Sequence, residues 1–211
     1  MKLINCHSHK APENGDIIVQ NIRINNDPMS LAHGPDIFFS AGIHPWDSAA
    51  YELHWLDKLT MLLNYQQVVA VGECGFDNTT NILFETQREV FEKHIIVSET
   101  MRKPVIIHCV GYFNELMQLR IRLQPQQAWI IHGFRGKPQL AEQLIRAGFY
   151  LSFGEKFNPA SVVAAPAERI LIETDESDIA ITALYSAICN LKNCEIDDLN
   201  AAAMLFSLKK P

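Results

Sequence analysis

Eight short apolar runs recur along the chain, at 2–6, 16–22, 36–43, 67–73, 103–109, 127–133, 149–154 and 169–175. Runs such as KPVIIHC (103–109) and QAWIIHG (127–133) are apolar at successive rather than alternate positions, the pattern of strands covered on both faces. Between the runs the period changes. Segments 49–63, 86–101, 112–123 and 138–147 carry apolar residues three and four apart, as one helix face requires, and Gly148 stands where the last of them should stop. Strands of this kind joined by helices imply a parallel sheet. Eight of them suggest closure into a TIM-type (β/α)8 barrel rather than an open sheet. The barrel is expected to be abbreviated, because segment 25–35 is too short and too rich in Asn, Pro and Gly for a normal crossover helix.

Composition narrows this picture without choosing a substrate. With 211 residues, 48% of them hydrophobic, the chain can bury one large core, so a single domain spanning 1–211 is expected. Eighteen basic against twenty-four acidic residues give a net charge of −6. That excludes a general basic surface for gripping nucleic acid and permits a local patch. Five cysteines, at 6, 74, 109, 189 and 194, form no CxxC pair, and the opening MKLINCHSHK lacks the apolar core of a signal peptide. A reduced, cytoplasmic protein is expected. No apolar run approaches the ~20 residues of a membrane helix, so no membrane association is expected, and no obligate protein partner is inferred.

Charged and metal-ligating residues collect at one edge of the expected strands. His7 and His9 close the first, His44 follows the third, Glu73 closes the fourth, His108 the fifth, His132 the sixth and Asp175 the eighth. In a barrel these ends meet at one mouth. The run VVAVGECGFD (68–77) raises the point most sharply, since a buried strand has no apolar reason to reach a glutamate. Imidazoles and carboxylates converging from separate rigid strands are what a catalytic metal site requires, because cations must neutralise charges held so close. His7 and His9, two apart in extended chain, share one face and can bind one ion. Each residue alone has an ordinary reading as a helix cap or a satisfied polar group, but His7, His9, Glu73, His108, His132 and Asp175 together on one edge do not. His33, His54 and His94 fall in a loop or in helices and are read as structural or solvent-facing. Cys6, Cys74 and Cys109 are read as small packing residues.

The ordered set HSH (7–9), AGIHPW (41–46), VGECGFD (71–77), FETQREVFEKHI (84–95), RKPVIIHC (102–109), IIHGFRG (130–136), GFYLSFG (148–154) and LIETD (171–175) resembles the TatD-like metal-dependent hydrolases, a branch of the amidohydrolase-like barrels. The resemblance covers residues 1 to about 180. It implies two divalent cations (Zn, Mn or Mg), one among His7, His9, Glu73 and Asp175 and the other among Glu73, His108 and His132, with Glu73 as the bridge. It also implies that Asp175 orients a water and accepts its proton, and that the activity is that of a phosphodiesterase, a deoxyribonuclease acting on DNA ends or single strands. His44, Arg135 and Lys137 are the expected substrate contacts. The last two stand in GFRGKP, directly after His132.

The chain departs from the family pattern in several places. Asn5 stands where an aspartate is usual, Lys10 and Ala11 replace an apolar-acidic pair, and HCVGYF lacks the arginine that commonly follows the histidine at 108. The region after Asp175 lacks the usual proline- and asparagine-rich connection, and the chain is short for the family. Two other readings therefore stay open: a metal-dependent hydrolase of a small ester, amide or lactone, and a non-catalytic metal-binding protein.

Overall fold

The computed structural model describes residues 2–10, 15–24 and 34–208. Segment 25–33, with His33, and residues 11–14, with Ala11, lie outside the described residues. Eight strands form one parallel sheet in chain order: β1 (Ile4–Ser8), β2 (Ile17–Arg23), β3 (Ile37–Gly42), β4 (Val68–Asp77), β5 (Val105–Val110), β6 (Trp129–Ile131), β7 (Tyr150–Phe153) and β8 (Ile170–Ile172). A parallel bridge between Ser8 and Asp175 brings β1 to the chain leaving β8, so the sheet is a nearly closed TIM-type barrel. The helices α1 (His54–Leu63), α2 (Phe84–Met101), α3 (Phe113–Leu123), α4 (Pro138–Arg146), α5 (Pro159–Ala164) and α6 (Ile181–Lys192) lie between or after the strands, and α7 (Ala201–Leu205) comes last. The expected helix at 49–63 is divided, with a 3-10 turn at Pro45–Ala50 preceding α1. Among the described residues, no helix is long and apolar enough to cross a membrane.

Strand residues alternate between two cores. Val105, Ile107, Trp129, Ile131, Ile170 and Ile172 join the layer that also holds Phe91, Leu116, Leu144 and Leu184 of the helices. Ile106, Ile130 and Leu171 instead join Cys6, Val19 and the Ala201, Ala202 and Phe206 end of the chain. Inward-facing residues at the foot of the barrel are thus apolar and closed off by α7. Continuing the alternation by one step on each strand places His108, His132 and Glu173 above them on the same inner face.

β4 is longer than its sequence pattern predicts. Glu73 does not close the strand, as expected from the charge, but lies in its middle, because the run continues through buried Cys74, Phe76 and Asp77. Val71 pairs with Val105 while Cys74 pairs with Ile107, so β4 has one residue more than β5 over this stretch. Such a bulge re-aims a side chain, and the residue re-aimed is Glu73. Gly72 and Gly75 flank it at positive φ, and a Cβ on either would be driven into the carbonyl oxygen of Ile106 or of His108. The two glycines let β4 press against β5 around the glutamate.

The motif FETQREVFEKHI acquires a structural meaning in α2. Gln87 and His94 lie two turns apart and are both buried. Gln87 accepts from Asp77 N–H at 2.7 Å and donates to Asp77 O at 3.0 Å, pinning the end of β4. His94 Nδ1–H donates to Val90 O at 2.8 Å, and its Nε2 accepts from Ile43 N–H at 2.9 Å, one residue before His44. His94 is therefore structural. Burial pulls its imidazole from the usual 6.5 down to about 4. Between those two values the unfolded chain holds a proton there that the native chain does not, so stability is complete above pH 6.5 and declines as pH falls toward 4. The decline should be about 1.4 kcal/mol per pH unit from this group. His94→Gln, which can keep both hydrogen bonds, should lack that increment. Denaturant unfolding of both proteins across the range measures it, and parallel curves would remove His94 as the source.

Candidate metal centre

Glu73 is the hub of the mouth. It is only 4% exposed, and its two oxygens face different partners. Oε1 stands 2.7 Å from His132 Nε2, 2.9 Å from His108 Nδ1 and 3.4 Å from His44 Nε2. Oε2 stands 3.4 Å from His9 Nε2 and 3.7 Å from His7 Nε2. Asn21 of β2 supports the carboxylate from below, accepting from Glu73 N–H at 2.9 Å and donating to Oε2 at 3.4 Å. One buried carboxylate thus divides five imidazoles into two sets, two from β1 and its exit and three from β5, β6 and the β3 exit.

The outer nitrogens of two imidazoles are held by carboxylates that sequence reasoning missed. Asp77 Oδ2 lies 3.0 Å from His108 Nε2, and Glu173 Oε1 lies 3.3 Å from His132 Nδ1 while accepting from Gly133 N–H at 2.7 Å. Each carboxylate can take up one ring N–H and leaves the other ring nitrogen facing Glu73, where it would offer its lone pair once a cation displaced any proton held there. The signal was present in the alternation: Asp77 is four residues beyond Glu73 on one strand face, and Glu173 is two beyond the inward Leu171. It was obscured by ending the fourth strand at Glu73 and by reading LIETD for its aspartate alone.

Asp175 lies beyond β8, not on it, and its backbone is clamped by β1. Its N–H donates to His7 O at 3.1 Å, and its carbonyl accepts from His9 N–H at 3.2 Å and from Ser8 Oγ at 3.2 Å. These bonds hold a non-glycine residue at φ 53°, in the left-handed region. The side chain is brought back over the histidines, with Oδ1 3.5 Å from His9 Nε2 and 3.7 Å from His7 Nε2. Asn5, where the family pattern has an aspartate, serves the same seam. Its Oδ1 accepts from Thr174 N–H at 3.1 Å and its Nδ2 donates to Thr174 Oγ1 at 2.7 Å. An amide can do both; a carboxylate can only accept. Lys10 is ion-paired with Asp178 on the exposed surface.

The electrostatics follow from this crowding. Burial pulls the His7 imidazole down to about 3, with the neighbouring His132 adding to the effect, so His7 is neutral. Burial would also lower His132 and raise Glu73, but their mutual attraction, with Glu173 acting on His132, overrides it. His132 is held well above and Glu73 well below its usual range. Contact with Glu73 raises His9. Burial raises Asp175. Cys6, Cys74 and Cys109 remain thiols, since burial pushes all three up, Cys109 to about 12.

The donor set fits divalent cations. Both ring nitrogens of His7 are buried without a hydrogen-bond partner. Its Nε2 is 3.7 Å from Glu73 Oε2 and from Asp175 Oδ1, too long for hydrogen bonds but suited to donors turned toward a shared centre. Among the described residues, three groupings could hold an ion: His7, His9 and Glu73; His44, Glu73 and His108; and His7, His132 and Asp175. His44 stands inside the donor set rather than apart from it. Arg135 is exposed and lines a pocket of about 300 Å³ together with Asp175, Glu173 and Lys156. Lys137 is not among its lining residues, because Pro138 commits the chain to α4 at that point and leaves Lys137 as the residue before the helix.

The family model for the TatD related DNase matches residues 15–194. The chain belongs to the TatD related DNase family. The span matched includes Glu73, His108, His132 and Asp175. Over 183 residues the chain is 30% identical to the 3'-5' ssDNA/RNA exonuclease TatD of Edwardsiella piscicida, covering 81% of this chain and 70% of that one. Over 149 residues it is 33% identical to an uncharacterized metal-dependent hydrolase of Buchnera aphidicola subsp. Baizongia pistaciae, covering 66% of this chain and 56% of that one. The chain thus spans between about half and 70% of the length of these TatD relatives. The crystal structure of YjjV, a TatD homologue of Escherichia coli K12, superposes with a TM-score of 0.82 at 20% identity over 97% of this chain and 96% of that one, sharing the fold.

If Glu73 joins the two imidazole sets, Glu73→Ala should lower metal content at both, whereas His132→Ala should mainly empty one. Elemental analysis of protein purified without chelator measures this, and full metal content in the Glu73 variant would refute the shared role.

Proposed function

We propose that this chain is a divalent-metal-dependent phosphodiesterase of TatD type that cuts single-stranded nucleic acid from an end. The observation that carries the reading is the division of Glu73, Oε1 toward His132, His108 and His44 and Oε2 toward His9 and His7, which suits a carboxylate shared by two cations. His7, His9 and Asp175 would complete one set and His108 and His132 the other. An imidazole-rich set favours zinc over magnesium, and the carboxylates of Glu73 and Asp175 also suit manganese. Cations bound there supply Lewis acidity and an acidified water at neutral pH. The names of the TatD exonuclease relatives support a nucleic acid as substrate. Five cysteines without a disulfide fit work in the cytoplasm.

The chain's own residues account for the rest of the reaction. Asp175 accepts the proton of the attacking water, whose oxygen bonds to phosphorus as the bond to the leaving nucleoside oxygen breaks. Burial raises this carboxyl, which makes it the better base. Its clamped backbone fixes where the proton goes. Arg135 and Lys156, in the pocket beside it, are placed to hold the phosphate, in place of the arginine the family usually carries after the histidine at 108. Asp77 and Glu173 keep His108 and His132 in the ring orientation that faces Glu73.

The reading is tested by incubating the metal-loaded protein with a single-stranded oligonucleotide, with and without chelator. Chelator-sensitive release of nucleotides is expected, and activity confined to uncharged esters or lactones would select the small-molecule hydrolase instead. Asp175→Asn should keep its fold and lose at least the ~10²-fold in turnover typical of removing a general base. Near-normal turnover at saturating metal would take Asp175 out of the mechanism.

Arg135→Ala should lower kcat/KM on a phosphodiester by ~1.5 to 3 kcal/mol, as for a lost charged hydrogen bond, and spare an uncharged ester. Equal loss on both substrates would leave the pocket without a phosphate role.

A further inference from the structure

The mouth carries an aromatic side chain for which the hydrolytic machinery has no use. Trp46 follows His44 in the turn after β3 and is 54% exposed. Of the other large exposed apolar side chains, Ile96 and Ile121 belong to the outer helices α2 and α3, while Leu83 and Val110, beyond or at the ends of β4 and β5, are aliphatic and offer no ring. Trp46 instead leans on the donor set, its ring edge-on to His44 with centroids 4.7 Å apart and 6.4 Å from His108. Its indole N–H donates to Asp77 Oδ2 at 2.8 Å, the same buried oxygen that meets His108 Nε2 at 3.0 Å. The ring's orientation is therefore fixed by a buried partner, while over half of its surface remains open.

The surroundings of the ring point to a neutral, planar ligand. Arg23 has its guanidinium carbon 6.0 Å from the indole centroid, but its charge is engaged by Asp47, at 3.0 Å through Nε and 2.6 Å through Nη2. Among the described residues, Arg23 is the cation against this ring, and its charge is met by Asp47. The cations that line the mouth pocket, Arg135 and Lys156, follow β6 and β7, across the ring of strands from β3. One rim thus offers Arg135 and Lys156 among the carboxylates of Glu155, Glu173, Asp175 and Glu176, and the opposite rim a flat π face, with Glu73 between.

We propose that Trp46 is the stacking platform for a nucleobase of the nucleic acid end, so that the substrates are base-bearing phosphodiesters rather than sugar or alkyl phosphodiesters. This rests on the phosphodiesterase reading above and names its substrate class. Every base has a π face, so the platform selects for a base without selecting a sequence.

The test compares kcat/KM on a short single-stranded oligonucleotide with kcat/KM on the same oligonucleotide made abasic at either of its two 3'-terminal nucleotides. The metal-loaded wild-type protein should prefer the intact substrate over one of the abasic ones by roughly ten- to a hundred-fold, the range for stacking one base on an aromatic side chain. In Trp46→Ala that ratio should fall to near one. In Trp46→Phe, which keeps a ring but cannot donate to Asp77, it should stay within a few-fold of wild type, separating stacking from any disturbance of Asp77 and His108. A wild-type ratio near one, an undiminished ratio in Trp46→Ala, or equal loss in the Ala and Phe variants would overturn the proposal. If the wild type cuts none of the oligonucleotides, the phosphodiesterase reading fails by itself, and equilibrium binding then judges the platform. Tighter binding of a deoxynucleoside 5'-monophosphate than of deoxyribose 5-phosphate, lost in Trp46→Ala, would uphold it, and equal binding of the two ligands would overturn it.

Discussion

A carboxylate buried to the extent of Glu73 cannot stand alone. Taking an unpaired ion out of water costs several kcal/mol, and the fold answers by surrounding this one with five imidazoles. Imidazoles can meet the charge in two ways, as protonated cations or as neutral ligands that help a metal ion to do so. The directions of the shifts show the first way at work in the protein alone: His132 and His9 are raised toward the charged form, and His7 is kept neutral. Protons and cations therefore compete for the same positions around Glu73. Metal uptake must release protons, and acid must weaken it.

The requirement propagates downward into the barrel. Five imidazoles can meet one carboxylate only if separate strands bring them to one level, and the apolar foot of Ile106, Ile130, Leu171, Val19 and Cys6, closed by α7, sets that level. The bulge in β4 and the glycines on either side of Glu73 are the local adjustment that turns a glutamate from the middle of a wholly buried strand into this ring. The seam between β1 and β8 is the other adjustment. There the amide of Asn5, the hydroxyl of Ser8 and the backbone of His7 and His9 hold Thr174 and Asp175, so that closing the barrel and positioning the Asp175 carboxylate are one act.

All eight strands were legible in the sequence because both their faces are apolar, and all bounds but the ends of β4 and β8 fall within two residues of the expected runs. The helices α1 to α4 were equally clear from their period, whereas α6, at Ile181–Lys192, was not among the expected helices although it is longer than α1, α3 and α4. The short α5 and α7 were not either, since PASVVA and AAAML are too brief and too uniformly small or apolar to show one face. What failed at the site was the end of a strand. Regular pairing carries β4 from Cys74 to Asp77, but the expected strand stops at its first charge, and Glu173 was eclipsed by the aspartate two residues on. Arg135, expected at the mouth from its position after His132, lines a pocket beside Asp175, and Lys156, from the next strand's exit, lines it too, whereas Lys137, the residue before Pro138 and α4, does not line that pocket.

Net charge constrains how such a site can take a polyanion. At −6 the protein as a whole repels nucleic acid, and long-range attraction cannot supply the affinity that many phosphate contacts give to basic proteins. What remains is short-range. Two cationic side chains in one pocket can fix a phosphate or two, so the dependence of affinity on salt must be shallow compared with that of a protein neutralising many phosphates. Stacking on an uncharged ring is nearly indifferent to salt and does not raise the affinity for free phosphate or for small anions. With the ring and the cations on opposite rims, a ligand that used both, as proposed, would have to present a base and a phosphate to span the mouth. A negatively charged protein would then tell a nucleic acid end from other anions through the geometry of two weak contacts rather than through the strength of one.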